Sequence, residues 1–120
     1  MKLRSFLLAI IALLALVSCH KVFPVSNVRF SNQGGTKTLE SVGCNHVNIS
    51  SSEGVFGEHV FDEATMIETT TLDWLTAELN LKSYELTLTA QKNESGNKRT
   101  LYISGMQGNF SSSIPVYQEK

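Results

Sequence analysis

The side chains able to do chemistry are few and dispersed along the chain. His20, His46 and His59 are the three histidines. Their spacing matches no metal-ligand motif, so each reads as an isolated, exposed side chain. Asp62-Glu63 and Asp73…Glu78 are the carboxylate pairs worth testing. Glycoside hydrolysis needs two carboxyl groups facing each other across a cleft, about 5 to 9 Å apart. Adjacent residues such as Asp62 and Glu63 point to opposite faces of a strand. Cys44 lacks the companion His and Asn pattern of a thiol protease and reads instead as a small buried hydrophobe. No phosphate loop or nucleotide-binding glycine fingerprint is present. The expectation is a chain with no catalytic residues, no metal ligands and no cofactor, and not an enzyme.

A binding role draws on other residues. A sugar is held by stacking its face on an exposed aromatic ring flanked by amides or carboxylates that bond its hydroxyls. The single tryptophan, Trp74, is one candidate, although a lone Trp in a β-sandwich more often sits in the core. Phe56, Phe61 and Phe110 lie in or near connections and serve either as an exposed patch or as a cap on the core. Tyr102 and Tyr117 are expected to face outward, too far apart along a hairpin to form one platform. Trp74, Phe56, Phe61 and Tyr102 are therefore the candidate glycan contacts.

These residues must be positioned by a chain of 120 residues, about one domain. Ten Lys+Arg against eleven Asp+Glu leave no basic excess, which argues against nucleic acid as a partner. The first residues form an address. Lys2 and Arg4 precede an apolar run from Phe6 to Val17, a length suited to a signal peptide and short of the ~20 residues that span a bilayer. Leu16-Val17-Ser18-Cys19 looks like a bacterial lipobox. Residues 1–18 are thus expected to be a lipoprotein signal peptide, cleaved before a lipidated Cys19. The acyl tails contribute ~0.8 kcal/mol per buried methylene and anchor the chain stably in a membrane. Loss of Lys2 and Arg4 takes the formal charge from -1 to about -3. Cys44 is then the only free thiol, and the core must hold the fold without a disulfide.

Residues 19–26 read as a lipidated tether, in which Pro24 biases Phe23 toward extended chain. Beyond it the apolar residues repeat every second position, the period of a strand. Val28 and Phe30 alternate with Arg29 and Ser31, Gly34-Gly35 supplies a turn, and Thr36 to Val42 forms a second stretch. Val47 and Ile49 give a third. Leu75, Ala77, Leu79 and Leu81 share one side, as do Tyr84, Leu86, Leu88 and Ala90. Asn93 to Asn97 is a turn, Leu101 and Ile103 face inward, Gly105 to Asn109 is another turn, and Ile114 and Val116 close the last strand. Residues 53–71 fit less well and read as a strand or hairpin near one sheet edge, with Thr36 and Thr69 to Thr71 as β-surface residues. The fold class is all-β: an antiparallel β-sandwich of about seven to eight strands.

The order of motifs resembles the BACON domain family. Phe30-Ser31-Asn32-Gln33-Gly34-Gly35-Thr36-Lys37-Thr38-Leu39 is similar to its opening strand and Gly-Gly-Thr turn, and Asp73-Trp74-Leu75-Thr76 to its central Trp-Leu motif. Leu86-Thr87-Leu88-Thr89-Ala90 through Asn93, Ser95, Gly96 and Arg99 matches its strand, Asn-x-Ser-Gly-x-x-Arg turn and strand. Ile114-Pro115-Val116-Tyr117-Gln118 looks like its closing strand. The match covers most of Val28 to Gln118. It departs from the family pattern in lacking a Trp near Gly43-Cys44-Asn45-His46 and in an expected insertion at about 50–72.

The resemblance implies an immunoglobulin-like sandwich over residues 27–120, from a Bacteroidetes-type bacterium. It implies a module that acts as a spacer or scaffold, or that contacts carbohydrate such as mucin. The alternative is a protein-interaction subunit of an envelope complex, docking by strand addition at an open sheet edge. The partners expected are a membrane, through the lipid, with glycans or another envelope protein, and no nucleic acid. His20-Lys21-Val22-Phe23 carries none of the acidic residues that accompany surface export in such bacteria. The location expected is therefore the outer membrane facing the periplasm, with the cell surface as the alternative.

Overall fold

The computed structural model describes residues 21–120. The expected signal peptide, Cys19 and His20 lie outside the described residues. Nine strands run in chain order: β1 Val28–Phe30, β2 Gly35–Leu39, β3 His46–Ser50, β4 Glu58–Asp62, β5 Ile67–Leu72, β6 Leu75–Asn80, β7 Glu85–Ala90, β8 Arg99–Gln107 and β9 Phe110–Gln118. They form a four-stranded sheet, ordered β1-β9-β8-β3, and a five-stranded sheet, ordered β2-β7-β6-β5-β4. The immunoglobulin-like all-β sandwich is thus observed, with nine strands rather than seven or eight. One pairing departs from the antiparallel expectation: β1 runs parallel to β9, with Val28 opposite Val116 and Phe30 opposite Gln118.

Period-two patterning explains how the sheets meet. Val47, Ile49, Leu101, Ile103, Ile114 and Val116 from the four-stranded sheet pack on Leu75, Ala77, Leu79, Leu86 and Leu88 from the other, and all are buried. Burial of one such side chain contributes about 1.5–3 kcal/mol, so this interior supplies most of the drive to fold. Tyr84 does not share the face of Leu86. It lies in the turn before β7 with a positive φ of 55° and is exposed.

Two readings of local structure are corrected. Residues 21–26 are not a free tether, because Val22 and Phe23 are both buried and Gly43 N–H donates to the Val22 carbonyl at 2.7 Å. Gly105 is not a turn residue. It lies inside β8, opposite Ser112, and a Cβ there would fall 2.6 Å from Val22 Cγ1, 2.9 Å from Phe23 Cζ and 3.0 Å from Cys44 Sγ. The missing side chain makes room for the incoming segment, and the hairpin turn is Gly108-Asn109.

The segment expected to be an insertion forms a hairpin at one sheet edge. β4 and β5 pair with Asp62 opposite Ile67, and they extend the five-stranded sheet beyond β6 to its edge. Every residue of β4 is exposed. No described helix is long and apolar enough to cross a membrane.

Candidate functional site

Two surfaces that meet at β3 collect the side chains of interest. The first is the outward face of the four-stranded sheet. Phe56 forms a lone bridge to Ser50, Ser50 lies opposite Tyr102, and Tyr102 lies opposite Pro115. Residues opposite one another across a sheet share a face, so these four make one row. The next row is Asn48, Ser104 and Ser113, in which the Ser104 and Ser113 hydroxyls lie 3.3 Å apart. A shallow groove of about 400 Å³ runs along the second row, lined by Phe56, Asn48, Met106 and the serines. Phe56 is 66% exposed, and Tyr102 is half-buried.

The candidate glycan contacts are therefore separated by the fold. Phe56 and Tyr102 come together. Trp74 does not join them: it is only 6% exposed, with the Arg99 guanidinium 4.9 Å from its ring centre. Its place in the core corrects its assignment as a sugar contact. Phe61 belongs to β4 in the other sheet, where it is exposed opposite Glu68. Phe110 is exposed beside the Gly108-Asn109 turn rather than capping the core. Tyr117 pairs with Thr100, two positions along from the pairing of Tyr102 with Pro115. The two tyrosines are therefore diagonal neighbours on one face, with the Arg29 guanidinium 4.7 Å above the Tyr117 ring.

The second surface is the free edge of β3, and here His46 and His59 are not isolated. Glu68 of β5 points inward and is 5% exposed. Its Oε1 lies 2.6 Å from His46 Nδ1 and 2.6 Å from His59 Nε2, and it accepts the Val47 N–H at 2.9 Å. The imidazole centres are 4.9 Å apart, and each side chain is about one-third exposed, at 38% and 35%. Thr70, read as a surface residue, is fully buried and donates to the Val47 carbonyl at 3.1 Å. The Ile49 carbonyl accepts from Gly57 N–H at 2.9 Å, and Ile49 N–H donates to Asn48 Oδ1 at 3.0 Å. The exposed edge of a sheet is an aggregation template unless its amides are occupied. Here side chains and one backbone amide occupy it.

Cys44, at 0% exposed, is inert by environment. Burial, with a smaller contribution from the Glu68 charge, pushes its thiol up to about 11. The carboxylate pairs do not face each other. Asp62 Oδ1 accepts from Ala64 N–H at 3.0 Å in the β4–β5 turn, with Glu63 beside it in the turn. Asp73 occupies a turn with φ 50°, and Glu78 lies on the exposed face of β6.

Glu68 was not marked by the sequence reading. The available signal was its place in Ile67–Leu72, two residues before Thr70 and four before Leu72 on the inward side of an alternating strand.

No family model and no curated protein sequence matches this chain. Among solved structures, it is similar to a protein from Bacteroides thetaiotaomicron determined by NMR, with a TM-score of 0.55 and 18% identity over 78% of this chain and 75% of the other. At that identity the likeness concerns the fold alone.

Proposed function

We propose that this protein is a non-enzymatic module of the BACON type, held in a bacterial outer membrane by lipid on Cys19. It works as a scaffold that contacts carbohydrate through the outward face of its four-stranded sheet. The observation that carries this reading is the row Phe56–Ser50–Tyr102 beside Asn48–Ser104–Ser113. Aromatic faces next to an amide and hydroxyls are the groups that recognise a pyranose by stacking and hydrogen bonding. A shallow, open groove suits a sugar chain lying across the sheet. The motif order supports the family reading, and the similar fold of the Bacteroides thetaiotaomicron protein is consistent with the bacterial group.

The test uses the full chain in detergent, screened against soluble mucin, plant polysaccharides and a glycan array. Saturable binding that falls at least tenfold in both Phe56→Ala and Asn48→Ala supports the reading. No binding at millimolar sugar, or binding indifferent to both substitutions, removes it. The periplasmic orientation is tested separately: protease treatment of intact cells should leave the domain in place.

The protein-interaction reading is favoured by the free edge of β4, where Val60 is 65% exposed. A discrete complex recovered by crosslinking through β4, with no sugar binding, would favour that reading instead.

A further inference from the structure

His46, His59 and Glu68 stand on β3, β4 and β5, so they bridge the two sheets at one edge of the sandwich. We infer that they form a binding site for a borderline divalent transition-metal ion such as Zn2+. The ion would be held by one nitrogen of each imidazole and one carboxylate oxygen.

The donor set is the first support. Two imidazoles and a carboxylate suit Zn2+ and its neighbours and do not suit Mg2+ or Ca2+, which favour all-oxygen shells. The three candidate donor atoms lie within 4.8 Å of one another. Around a tetrahedral ion with bonds of about 2.1 Å, donors stand about 3.4 Å apart. The present 2.6 Å contacts of Glu68 with each ring therefore need to open by less than an ångström, and the two ring nitrogens, within 4.8 Å of each other, need to close by at most about 1.4 Å. Rings that are one-third exposed have room to do this by side-chain rotation.

Charge is the second support. Glu68 is a carboxylate at 5% exposure, and among the described residues its only ion-pair partners are the two histidines. A buried carboxylate without a fixed cation is costly, and a bound divalent ion would neutralise it. Its orientation is already set by the Val47 N–H at 2.9 Å, an outer contact of the kind that aims metal ligands.

The third support is mechanical need. Many immunoglobulin-like sandwiches join their sheets with a disulfide. Cys44 is the free cysteine among the described residues, so an ion at this edge would supply the cross-link. The solvent-facing side of the rings leaves a fourth position for water.

The experiment uses the full chain in detergent, without a polyhistidine tag, titrated with Zn2+ alone. The expected result is one equivalent bound at micromolar or better affinity, with a rise of several degrees in the unfolding temperature. Ring signals of His46 and His59 should both move in the NMR spectrum of the unsubstituted protein. His59→Ala alters an exposed position on an edge strand and keeps the fold; it should weaken binding at least tenfold, as should Glu68→Gln. Absence of saturable binding at millimolar Zn2+ would overturn the site. So would binding that leaves both ring signals unmoved, or that survives His59→Ala undiminished.

Discussion

Arg99 Nε donates to the side-chain oxygen of Gln118 at 2.8 Å, and this bond lies at the centre of a buried polar knot. Gln118 is 1% exposed, and its amide nitrogen donates to the Gln91 carbonyl at 2.7 Å and the Ser31 carbonyl at 3.1 Å. Arg99 also lies over Trp74. Nearby, Asn93 Nδ2 donates to the carbonyls of Asn97 and Glu119, while its Oδ1 accepts from Ser95 N–H and hydroxyl. The motif residues Trp74, Asn93, Ser95, Arg99 and Gln118 thus tie strand ends together, and their chemistry is spent on the fold.

Gln118→Leu should destabilise the protein by about 2–4 kcal/mol, because it leaves two carbonyls and a guanidinium without their partner. Urea unfolding followed by tryptophan fluorescence measures it. A loss below half a kcal/mol would show that water replaces the amide at no cost.

Trp74→Ala should cost about 3–5 kcal/mol as a core truncation. Trp74→Phe should retain the fold and any carbohydrate binding unchanged. Loss of sugar binding in a folded Trp74→Phe protein would return Trp74 to the list of contacts.

Gly34→Ala should be among the most damaging single-methyl additions. Gly34 has φ +80°, and a Cβ there would lie 2.3 Å from the Ala90 carbonyl oxygen. Backbone atoms cannot swing aside as a side chain can, so the β1–β2 turn must shift. Gly96→Ala, at a matching φ of +79° but with open space around it, provides the comparison: the thermal midpoint should fall further for Gly34→Ala.

The thiol of Cys44 should resist alkylation at pH 8, since the folded protein holds its proton up to about 11 against an ordinary 9.0. The sign for stability follows. Between these two values the unfolded chain has released the proton and the folded chain has not, so stability falls as pH rises from about 9 to about 11, by an amount on the order of 2 kcal/mol. Cys44→Ala should show a flatter stability profile over that range. Equal slopes would remove Cys44 as the cause.

The strands were legible because their apolar residues alternate. Leu75, Ala77 and Leu79, or Leu86, Leu88 and Ala90, state both the element and its buried face. Gly105 was misread because glycine marks turns and close packing alike, and only the arrival of Val22 and Phe23 distinguishes the two. The cluster at Glu68 was hidden for another reason. His46, His59 and Glu68 belong to three strands, and their proximity exists only once β5 is laid against the edge of β3. Phe56 and Tyr102 were each visible as aromatics, but their shared row depends on the register of β3 with β8.

The parallel pairing of β1 with β9 has a mechanical consequence. A load between the segment before β1 and residue 120 pulls these neighbours in opposite directions along their length. Their hydrogen bonds are then strained together in shear rather than opened singly, like a seam pulled lengthwise instead of peeled. Single-molecule pulling from the two ends should need a higher rupture force than pulling from residue 120 against Lys98, which peels β9 from β8 starting at the Arg99–Gln118 end of the hairpin. A domain built this way keeps its shape while its two ends are under tension.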